Sequence, residues 1–316
     1  MQSSMPTRQD LLDCHTRIKP YIHRTAVLSS TAINDIAGAE IFFKCENFQR
    51  MGAFKMRGAT NAILQLSDAQ RTNGVVTHSS GNMAQAVSLA AHSLDIPAYI
   101  VMPENAPQVK KEAVKGYGGQ ITESVSTIEA RQAAADALID QYAATFIHPS
   151  NDLDVILGQG TAAMELLEEQ PDLDVVAVPV GGGGLLAGTA LAVHHFGKNC
   201  KTIAGEPRAA DDAYLSLKAG KIIKNLKADT IADGLRTHLG DINFPIIQQY
   251  VDEIIRVEEG EIIAAMRLVW ERMKIIIEPS CAVPLAAILV EKAKFDGQKI
   301  GIVITGGNVD LGKLPF

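Results

Sequence analysis

Apolar and polar positions alternate along this chain with two different periods, and the alternation predicts its secondary structure. Between residues 73 and 149, short apolar runs alternate with segments in which apolar residues recur every three or four positions. The first pattern is typical of buried strands and the second of amphipathic helices. We predict strands at 75–77, 98–102 and 121–122, separated by helices at 83–91, 108–115 and 128–141. Such an alternation indicates a parallel sheet with helices on its faces.

The second half of the chain repeats this alternation. It predicts strands at 174–180, 202–205, 252–257 and 300–304, with helices at 184–196, 259–273 and 282–292. Before residue 73, the pattern predicts a helix at 7–18 capped by Thr7, a strand at 26–28, a helix capped near Ser30, a strand at 41–45 and a helix at 58–66. Residues 218–241 are polar and irregular, and loops of that length tend to be functional.

These elements predict an α/β protein of two lobes, each an open, twisted, mainly parallel sheet with helices on both faces. A chain of 316 residues is long enough for two lobes, at roughly 150 residues per domain. We assign residues 73–149 to a small mobile lobe, inserted into a larger lobe that residues 1–72 and 150–316 form.

Composition narrows the class of partner. The chain has 29 basic and 36 acidic side chains and no basic block, which argues against nucleic acid and anionic membranes as partners. The longest apolar runs are too short to span a bilayer, and the first six residues lack the features of a secretion signal. The four cysteines have no paired spacing, so they indicate neither a zinc site nor a disulfide framework. We therefore expect a reduced, cytoplasmic protein.

One lysine stands in an unusual context. Lys55 lies between Phe54 and Met56, after Gly52 and before the predicted helix that begins at Gly58. A lysine half-buried in such a place can lose its charge near neutral pH and act as a base or as a Schiff-base amine. The alternative is an exposed lysine whose stem covers apolar surface.

Ligands in open α/β sheets bind beyond the carboxyl ends of the strands, and glycines stand at one of these ends. Four consecutive glycines follow the predicted strand at 174–180 and open the next helix: Gly181, Gly182, Gly183 and Gly184. Their N–H groups can surround a phosphate at the positive end of the helix. The same residues also fit the dinucleotide pattern, with Ala187 as its last small residue and Glu206 as the ribose-binding acid. Four consecutive glycines favour the phosphate site, because the dinucleotide pattern needs only alternate ones.

Two further turns follow strands. Ser79, Ser80, Gly81 and Asn82 offer hydroxyls, an amide and free N–H groups, which suit a carboxylate or a proton transfer. Thr305 and the glycines after it form the other turn. Together with an activated lysine, these turns predict one catalytic site.

These residues give the chain a resemblance to a known family. It is similar to the serine racemase and serine/threonine dehydratase group of pyridoxal-phosphate enzymes, which have the tryptophan synthase β-like fold. Within that group it resembles serine racemase and 3-hydroxyaspartate dehydratase. The resemblance covers nearly the whole chain and rests on residues 43–47, 52–59, 79–82, 158–161, 181–185, 269–274, 278–279 and 306–310.

The resemblance implies pyridoxal 5′-phosphate as cofactor and gives roles to the candidate residues. Lys55 corresponds to the lysine that binds the cofactor covalently and accepts a proton. Asn82 corresponds to the residue at the ring's phenolic oxygen, and Thr305 to a hydroxyl beside the pyridine nitrogen. The implied cofactor-binding set is Phe54, Lys55, Asn82, Gly181, Gly182, Gly183, Gly184 and Thr305.

Ser80 separates the subgroups. Serine racemases carry a catalytic serine here, whereas threonine dehydratases usually have alanine. The resemblance therefore implies dehydration of serine, threonine or 3-hydroxyaspartate to a 2-oxo acid and ammonia, with serine racemisation alongside. The implied substrate-binding set is Ser79, Ser80, Asn82, Met83 and Arg131. Met83 replaces the family histidine, and Ser150 stands near a family asparagine.

Other features also follow from the resemblance alone. Glu206, the Ala210 carbonyl and Asp212 correspond to a divalent-cation site for Mg²⁺, Ca²⁺ or Mn²⁺. A homodimer is expected. A nucleotide effector would bind at the subunit interface, near Ser30, Thr31, Arg50, Met51, Lys274 and Asn308.

The alternatives to this function differ in class. A simple threonine dehydratase is disfavoured by Ser80 and because no regulatory domain follows residue 316. A nicotinamide-dependent oxidoreductase and a non-catalytic amino-acid or nucleotide sensor are more remote.

Overall fold

Helices and strands alternate through the chain. The structure, a computed structural model, describes residues 5–225 and 227–316; residues 1–4, where the predicted larger lobe begins, and residue 226 in the predicted irregular segment lie outside the described residues. The helices are α1 (Arg8–Ile18), α2 (Thr31–Ala37), α3 (Lys55–Leu64), α4 (Asp68–Asn73), α5 (Asn82–His92), α6 (Gln108–Gly116), α7 (Ile128–Tyr142), α8 (Leu153–Glu169), α9 (Gly184–Phe196), α10 (Asp212–Ala219), α11 (Asn243–Tyr250), α12 (Glu259–Met273) and α13 (Pro279–Val290). The strands are β1 (Val27–Leu28), β2 (Glu40–Cys45), β3 (Val75–His78), β4 (Ala98–Pro103), β5 (Gln120–Ser124), β6 (Thr145–Phe146), β7 (Val175–Pro179), β8 (Lys201–Pro207), β9 (Glu253–Val257) and β10 (Lys299–Ile304).

The strands of the described chain form two sheets. The larger has the order β1-β2-β10-β7-β8-β9, and the smaller has the order β5-β4-β3-β6. Every pairing is parallel except that of β1 with β2. The predicted α/β class, with mainly parallel sheets, is therefore confirmed.

Helices cover both faces of the larger sheet. Ile300, Ile302 and Ile304 of β10 pack with buried residues of α12 and α13, whereas Val303 packs with residues of α8 and α9. A strand buried on both faces needs apolar side chains in both directions, which explains the continuous apolar runs of the sequence. Within the described residues, no helix combines the length and the apolar character that a bilayer crossing requires.

The sequence pattern did not predict α8. Its glycines lower helix propensity, yet they allow close packing against two neighbouring helices. A Cβ at Gly158 would lie 2.5 Å from the Cα of Gly58, and one at Gly160 would lie 2.6 Å from the carbonyl oxygen of Gly188. The cap at Asp152, which accepts from the N–H groups of residues 154 and 155, was the available signal.

The start of α3 was predicted three residues too late. The first residue of α3 is Lys55 and not Gly58. Phe54, which caps the helix, already has helical backbone angles. This places Lys55 at the N-terminus of a helix, beyond the carboxyl end of β2. The loops that follow β7 and β10 reach the same edge of the sheet, because these strands are parallel.

Candidate active site

One cavity of about 370 Å³ receives the residues that follow the strands of both sheets. Its lining includes every residue of the predicted cofactor and substrate sets: Phe54, Lys55, Ser79, Ser80, Asn82, Met83, Arg131, Gly181, Gly182, Gly183, Gly184 and Thr305. The fold thus brings together residues that are far apart in the sequence.

Lys55 lines this cavity, and no carboxylate of the described part of the chain is bonded to it. Its Nζ donates to the carbonyl oxygen of Pro149 at 2.6 Å, and the amine lies 5.0 Å from the centre of the Phe54 ring. Burial lowers the pKa of Lys55 to about 8, although the charge of Glu278 works in the opposite direction. An amine with such a pKa is partly uncharged near neutral pH, as a nucleophile or a base must be.

The four glycines form a cup at the start of α9. Gly183, in the left-handed region at φ 83°, caps the helix. A Cβ at Gly181 would lie 2.7 Å from the Cα of Leu235, and one at Gly182 would lie 2.4 Å from Ser150 Oγ. A larger residue would displace these neighbours, and the glycines line the cavity at the positive end of a helix. This geometry suits a phosphate.

Asn243 fixes this cup, and the sequence analysis missed it. Its Nδ2 donates to the carbonyl oxygens of Gly182 and Ser150, at 2.9 and 3.1 Å. Asn243 is completely buried. The available signal was weak, since it is one polar residue beside an apolar segment.

Glu278 is a second residue that sequence reasoning left without a role. Its Oε1 and Oε2 accept from Asn82 Nδ2 at 2.9 and 3.2 Å, while Asn82 Oδ1 accepts from Asn308 Nδ2 at 2.9 Å. Burial raises the pKa of Glu278 to about 7, and the charge of Asp233 adds to this. In the sequence, Glu278 could have been noticed because an acidic residue directly follows the apolar run at 275–277. The network fixes the Asn82 amide at the cavity wall.

The serine turn leads into α5. Gly81 N donates to Ser79 Oγ at 3.2 Å, and Ser80 lies beside it in the cavity wall. The Met83 side chain is buried and offers no hydrogen-bond donor, so a carboxylate at this helix start would be bound by backbone N–H groups and hydroxyls.

Imidazoles and a guanidinium lie on another side of the cavity. Arg131 and His78 line it together, and the pKa of His78 is lowered by burial and then by the charge of Arg131. His148 Nδ1 accepts from the N–H groups of Ser150 and Asn151 at 3.1 and 2.8 Å, so its proton is on Nε2. Burial lowers the pKa of His148 to about 4. This imidazole is therefore neutral at physiological pH.

The turn after β10 is bonded to the lysine loop. The carbonyl oxygen of Thr305 accepts from Phe54 N at 2.9 Å, and Ala53 forms a β-bridge with Gly306. Thr305 is buried with its hydroxyl 2.9 Å from Cys281 Sγ. The hydroxyl and the lysine are therefore held in one rigid assembly.

Comparison with known proteins agrees with this geometry. The model of a family described as "Pyridoxal-phosphate dependent enzyme" matches residues 18–306. This chain belongs to that family. This chain is 51% identical over 312 residues to a serine racemase from Dictyostelium discoideum. The match covers 98% of this chain and 96% of the relative. It is 48% identical to a beta-hydroxyaspartate dehydratase from Paracoccus denitrificans, covering 99% of both chains. The crystal structure of the Dictyostelium racemase superposes with a TM-score of 0.93, covering 98% of this chain and 100% of the other.

These findings bear out the predicted family, the enzyme class and pyridoxal phosphate as the cofactor. They also decide against the dinucleotide alternative. Glu206, which that alternative places at a ribose, is fully buried and bonded to the N–H groups of Ala213 and Tyr214 at 2.8 Å each. It is not among the cavity-lining residues.

The predicted cation site lies beside the cavity. Glu206, Ala210 and Asp212 are all buried. Asp212 Oδ1 accepts from Asn225 Nδ2 at 2.8 Å, whereas Asp212 Oδ2 has no hydrogen-bond partner among the described residues. Burial raises the pKa of Glu206 to about 9 and that of Asp212 to about 7.

Such a pair suits a bound cation. A buried carboxylate oxygen without a partner is rare, and a hard cation would satisfy it. No group of three or more His, Cys, Asp and Glu side chains arranged for a metal occurs in the described chain, and the predicted set has two carboxylates and one carbonyl. Its donor chemistry therefore fits.

Two basic residues of the polar segment at 218–241 lie differently relative to the cavity. His238 lines the cavity, with Nδ1 3.7 Å from Asp212 Oδ2. Arg236 instead donates to the carbonyl oxygen of Thr230 through Nε at 3.0 Å and is not among the lining residues.

Proposed function

We propose that this pyridoxal-phosphate enzyme eliminates water from small β-hydroxy amino acids, that hydrolysis of the remaining enamine releases ammonia, and that the enzyme also racemises serine. The substrates are serine, threonine and 3-hydroxyaspartate, and the elimination products are the 2-oxo acid and ammonia. One observation carries the proposal: an amine of lowered pKa and a serine hydroxyl line the same cavity as a glycine cup for phosphate. The names of the two relatives support the substrate class.

The proposed roles follow from the chemistry of each side chain. Lys55 binds the cofactor covalently, Gly181, Gly182, Gly183 and Gly184 hold its phosphate, and Phe54 packs beside it. The Asn82 amide would donate a hydrogen bond to the phenolic oxygen of the cofactor, and the Thr305 hydroxyl would donate one to its pyridine nitrogen. When bound, the cofactor withdraws electrons and so stabilises negative charge on the α-carbon. A hydroxyl does not keep the pyridine nitrogen protonated, which limits this withdrawal and favours prompt loss of the β-hydroxyl.

Two groups move the α-proton. Once the amino group of the substrate has displaced Lys55 from the cofactor, the free Lys55 Nζ takes this proton from the L-amino acid. Departure of the β-hydroxyl with a proton then completes the loss of water. If the proton is instead replaced on the opposite side by Ser80 Oγ, the configuration at the α-carbon is inverted. Ser79, Asn82 and the N–H groups at the start of α5 bind the α-carboxylate.

The cations at the cavity wall favour a second carboxylate on the substrate. Lys110 and Lys224 line the cavity with Arg131, and the described lining contains two carboxylates, Asp233 and Glu278. Arginine binds carboxylates through two parallel hydrogen bonds. We therefore propose that Arg131 binds the β-carboxylate of 3-hydroxyaspartate.

Lobe closure would complete the site. Residues 73–149 are the proposed mobile lobe, and closure would exclude water from the cavity. The Lys110–Asp233 ion pair, at 2.7 Å, joins α6 of that lobe to the larger lobe beside the cavity. This contact supports a closed arrangement.

Assays of the purified enzyme test the function. L-serine, D-serine, L-threonine and the 3-hydroxyaspartate isomers should be followed for both oxo acid and enantiomer. We expect Ser80→Ala to abolish inversion while the cofactor stays bound, and the exposed Ser93→Ala to match the wild type. Equal loss of every activity in Ser80→Ala would show that Ser80 is structural. Turnover of threonine alone would instead identify a simple threonine dehydratase.

We also propose that Glu206, the Ala210 carbonyl and Asp212 bind Mg²⁺. Asp212 Oδ2, for which the described residues offer no hydrogen-bond partner, supports this site. Mg²⁺ should raise the melting temperature of the wild type but not of Asp212→Asn, and excess chelator should lower activity. A wild-type melting temperature that is insensitive to both Mg²⁺ and chelator would contradict the proposal.

The enzyme is further proposed to be a cytoplasmic homodimer with a nucleotide effector at the interface. Three apolar side chains close to the implied effector positions in the sequence are exposed: Phe48, Ile276 and Leu311. A hydrogen bond from Asn47 Nδ2 to the carbonyl oxygen of Ile276 joins the segments of the first two. Sedimentation with and without a nucleotide would test both parts. A monomer at micromolar concentration would contradict the dimer.

A further inference from the structure

A buried thiol lies directly behind the hydroxyl of Thr305. Cys281 Sγ is 2.9 Å from Thr305 Oγ1, 2.8 Å from the carbonyl oxygen of Gly306 and 2.9 Å from Gly306 N. Cys281 has 0% exposure and lies in the first turn of α13. Sequence reasoning gave this cysteine no role, since its spacing indicated neither a metal nor a disulfide.

The thiol has one proton to donate. Burial raises the pKa of Cys281 well above its ordinary value, so the group stays protonated and serves as a weak donor and a weak acceptor. Its sulfur accepts from Gly306 N. The carbonyl oxygen of Gly306 already accepts from Glu278 N at 3.0 Å. The thiol proton therefore has two acceptors within reach, the second lone pair of that carbonyl and Thr305 Oγ1.

The direction of the Thr305 hydroxyl proton decides between them. A pyridine nitrogen accepts hydrogen bonds far better than a thiol sulfur, so a hydroxyl that faces such a nitrogen donates to it and not to Cys281. Thr305 Oγ1 then turns a lone pair toward Sγ at 2.9 Å, and this contact is favourable only if the thiol donates.

We propose, on the basis of the proposed function, that Cys281 is a positioning residue whose S–H donates to Thr305 Oγ1 and so directs the threonine hydroxyl proton to the pyridine nitrogen. The hydrogen bonds then run in one direction, from Gly306 N–H through the thiol and the hydroxyl to the cofactor ring. Successive bonds of such a chain strengthen one another by about 10–30% each.

This chain affects the partition of the reaction. A stronger hydrogen bond to the ring nitrogen increases electron withdrawal from the α-carbon, so negative charge persists there for longer. Return of the proton then competes better with loss of the β-hydroxyl. Cys281 thus raises the ratio of racemisation to elimination.

Nitrogen NMR of the holoenzyme tests this inference. The cofactor is labelled with ¹⁵N in its ring, and the wild type is compared with Cys281→Ala, Cys281→Ser and Thr305→Ala. Cys14→Ala is the matched control, because Cys14 is also buried but lies in α1. We expect Cys281→Ala to move the resonance toward that of a pyridine without a donor, by at least about a tenth of the change in Thr305→Ala. Cys281→Ser, a stronger donor, should move it the other way, and Cys14→Ala should leave it unchanged.

The outcomes separate this inference from the proposed function. If Thr305→Ala moves the resonance but neither Cys281 variant does, the role of Cys281 is overturned while that of Thr305 stands. If Thr305→Ala leaves the resonance unchanged, the role of Thr305 at the ring fails and the inference fails with it. If Cys281→Ala does not fold, Cys281→Ser alone tests the inference. A ring-nitrogen resonance at the wild-type position in Cys281→Ser would then overturn it.

Discussion

Lys44 is fully buried and Lys55 is half-buried at the cavity, and the groups around the two amines differ. Lys44 is fully buried, and its Nζ is 2.7 Å from the carbonyl oxygen of Thr25 and 2.8 Å from Glu165 Oε2. Within the described residues, Lys55 Nζ bonds to the carbonyl oxygen of Pro149 and to no carboxylate, and burial lowers its pKa to about 8. A buried lysine that pairs with a carboxylate stabilises the fold. A lysine that lines a cavity without such a partner is a candidate for a reactive amine.

Buried ion pairs anchor α3, the helix that begins with Lys55. Arg57 is completely buried, with its Nε 2.7 Å from Glu46 Oε2 and its Nη2 2.8 Å from Glu165 Oε2. Burial alone would raise the pKa of Glu165, but the hydrogen bonds from His15 and Arg57 hold it below its ordinary range. This ion cluster fixes α3 against α8, and thereby fixes the direction of Lys55.

The sharpest test of this contrast replaces each lysine by methionine. Lys55→Met should lose activity by more than about 10²–10⁴-fold, because it removes the group that we propose transfers the proton, while its stability is unchanged or raised. Lys44→Met should keep the bound cofactor but unfold at lower denaturant concentration. Activity and denaturation of the same two proteins check both statements, and an active Lys55→Met would break the comparison.

Removal of the arginine should cost the most stability. Arg57→Met removes the guanidinium that Glu46 and Glu165 share. Lys44 still pairs with Glu165, but loss of one partner of a buried ion pair destabilises a protein by about 3–5 kcal/mol. Arg24→Met is the matched control, since Arg24 also pairs with two glutamates, Glu168 and Glu169, but at the surface. Such exposed pairs contribute about 0–1 kcal/mol. Equal losses in chemical denaturation would show that burial of the cluster does not matter.

A smaller effect is expected at the glycine cup. In Gly181→Ala the new Cβ meets the backbone of Leu235, so the loop must move and its N–H groups leave the phosphate. Overpacking costs about 1–3 kcal/mol, and we expect the cofactor to bind about tenfold more weakly. Gly260→Ala, where a Cβ meets open space, is the control. Titration of the apoenzyme with the cofactor measures both, and wild-type affinity in Gly181→Ala would argue against the phosphate site.

Much of this arrangement was predictable from the sequence, for local reasons. The glycines, Lys55 and the serine turn were found because strand ends and turn residues are recognisable in short windows. Glu278, Asn243 and His148 were not given roles, since each acts through partners distant in the chain. Arg57 lies next to Met56 in the sequence, and nothing local distinguishes a buried arginine with two carboxylates from a solvated one.

The pH dependence of cofactor binding is the finest test. Only the uncharged amine of Lys55 attacks the aldehyde, so the rate of covalent binding to the apoenzyme should rise with pH. Its midpoint should lie near 8, where the pKa of Lys55 lies, and not near the ordinary lysine value of about 10.4. Stopped-flow absorbance over this range measures the midpoint, and an ordinary value would show that Lys55 is solvated.

The central claim, that Lys55 is the amine that binds the cofactor, is tested most directly by chemical reduction. The holoenzyme is treated with borohydride, digested and analysed by mass spectrometry for the peptide that contains the reduced cofactor. We predict that the modification lies on Lys55, the first residue of α3, and on no other lysine in stoichiometric amount. A modification on another lysine, or a holoenzyme that releases all of its cofactor after reduction, would contradict this account.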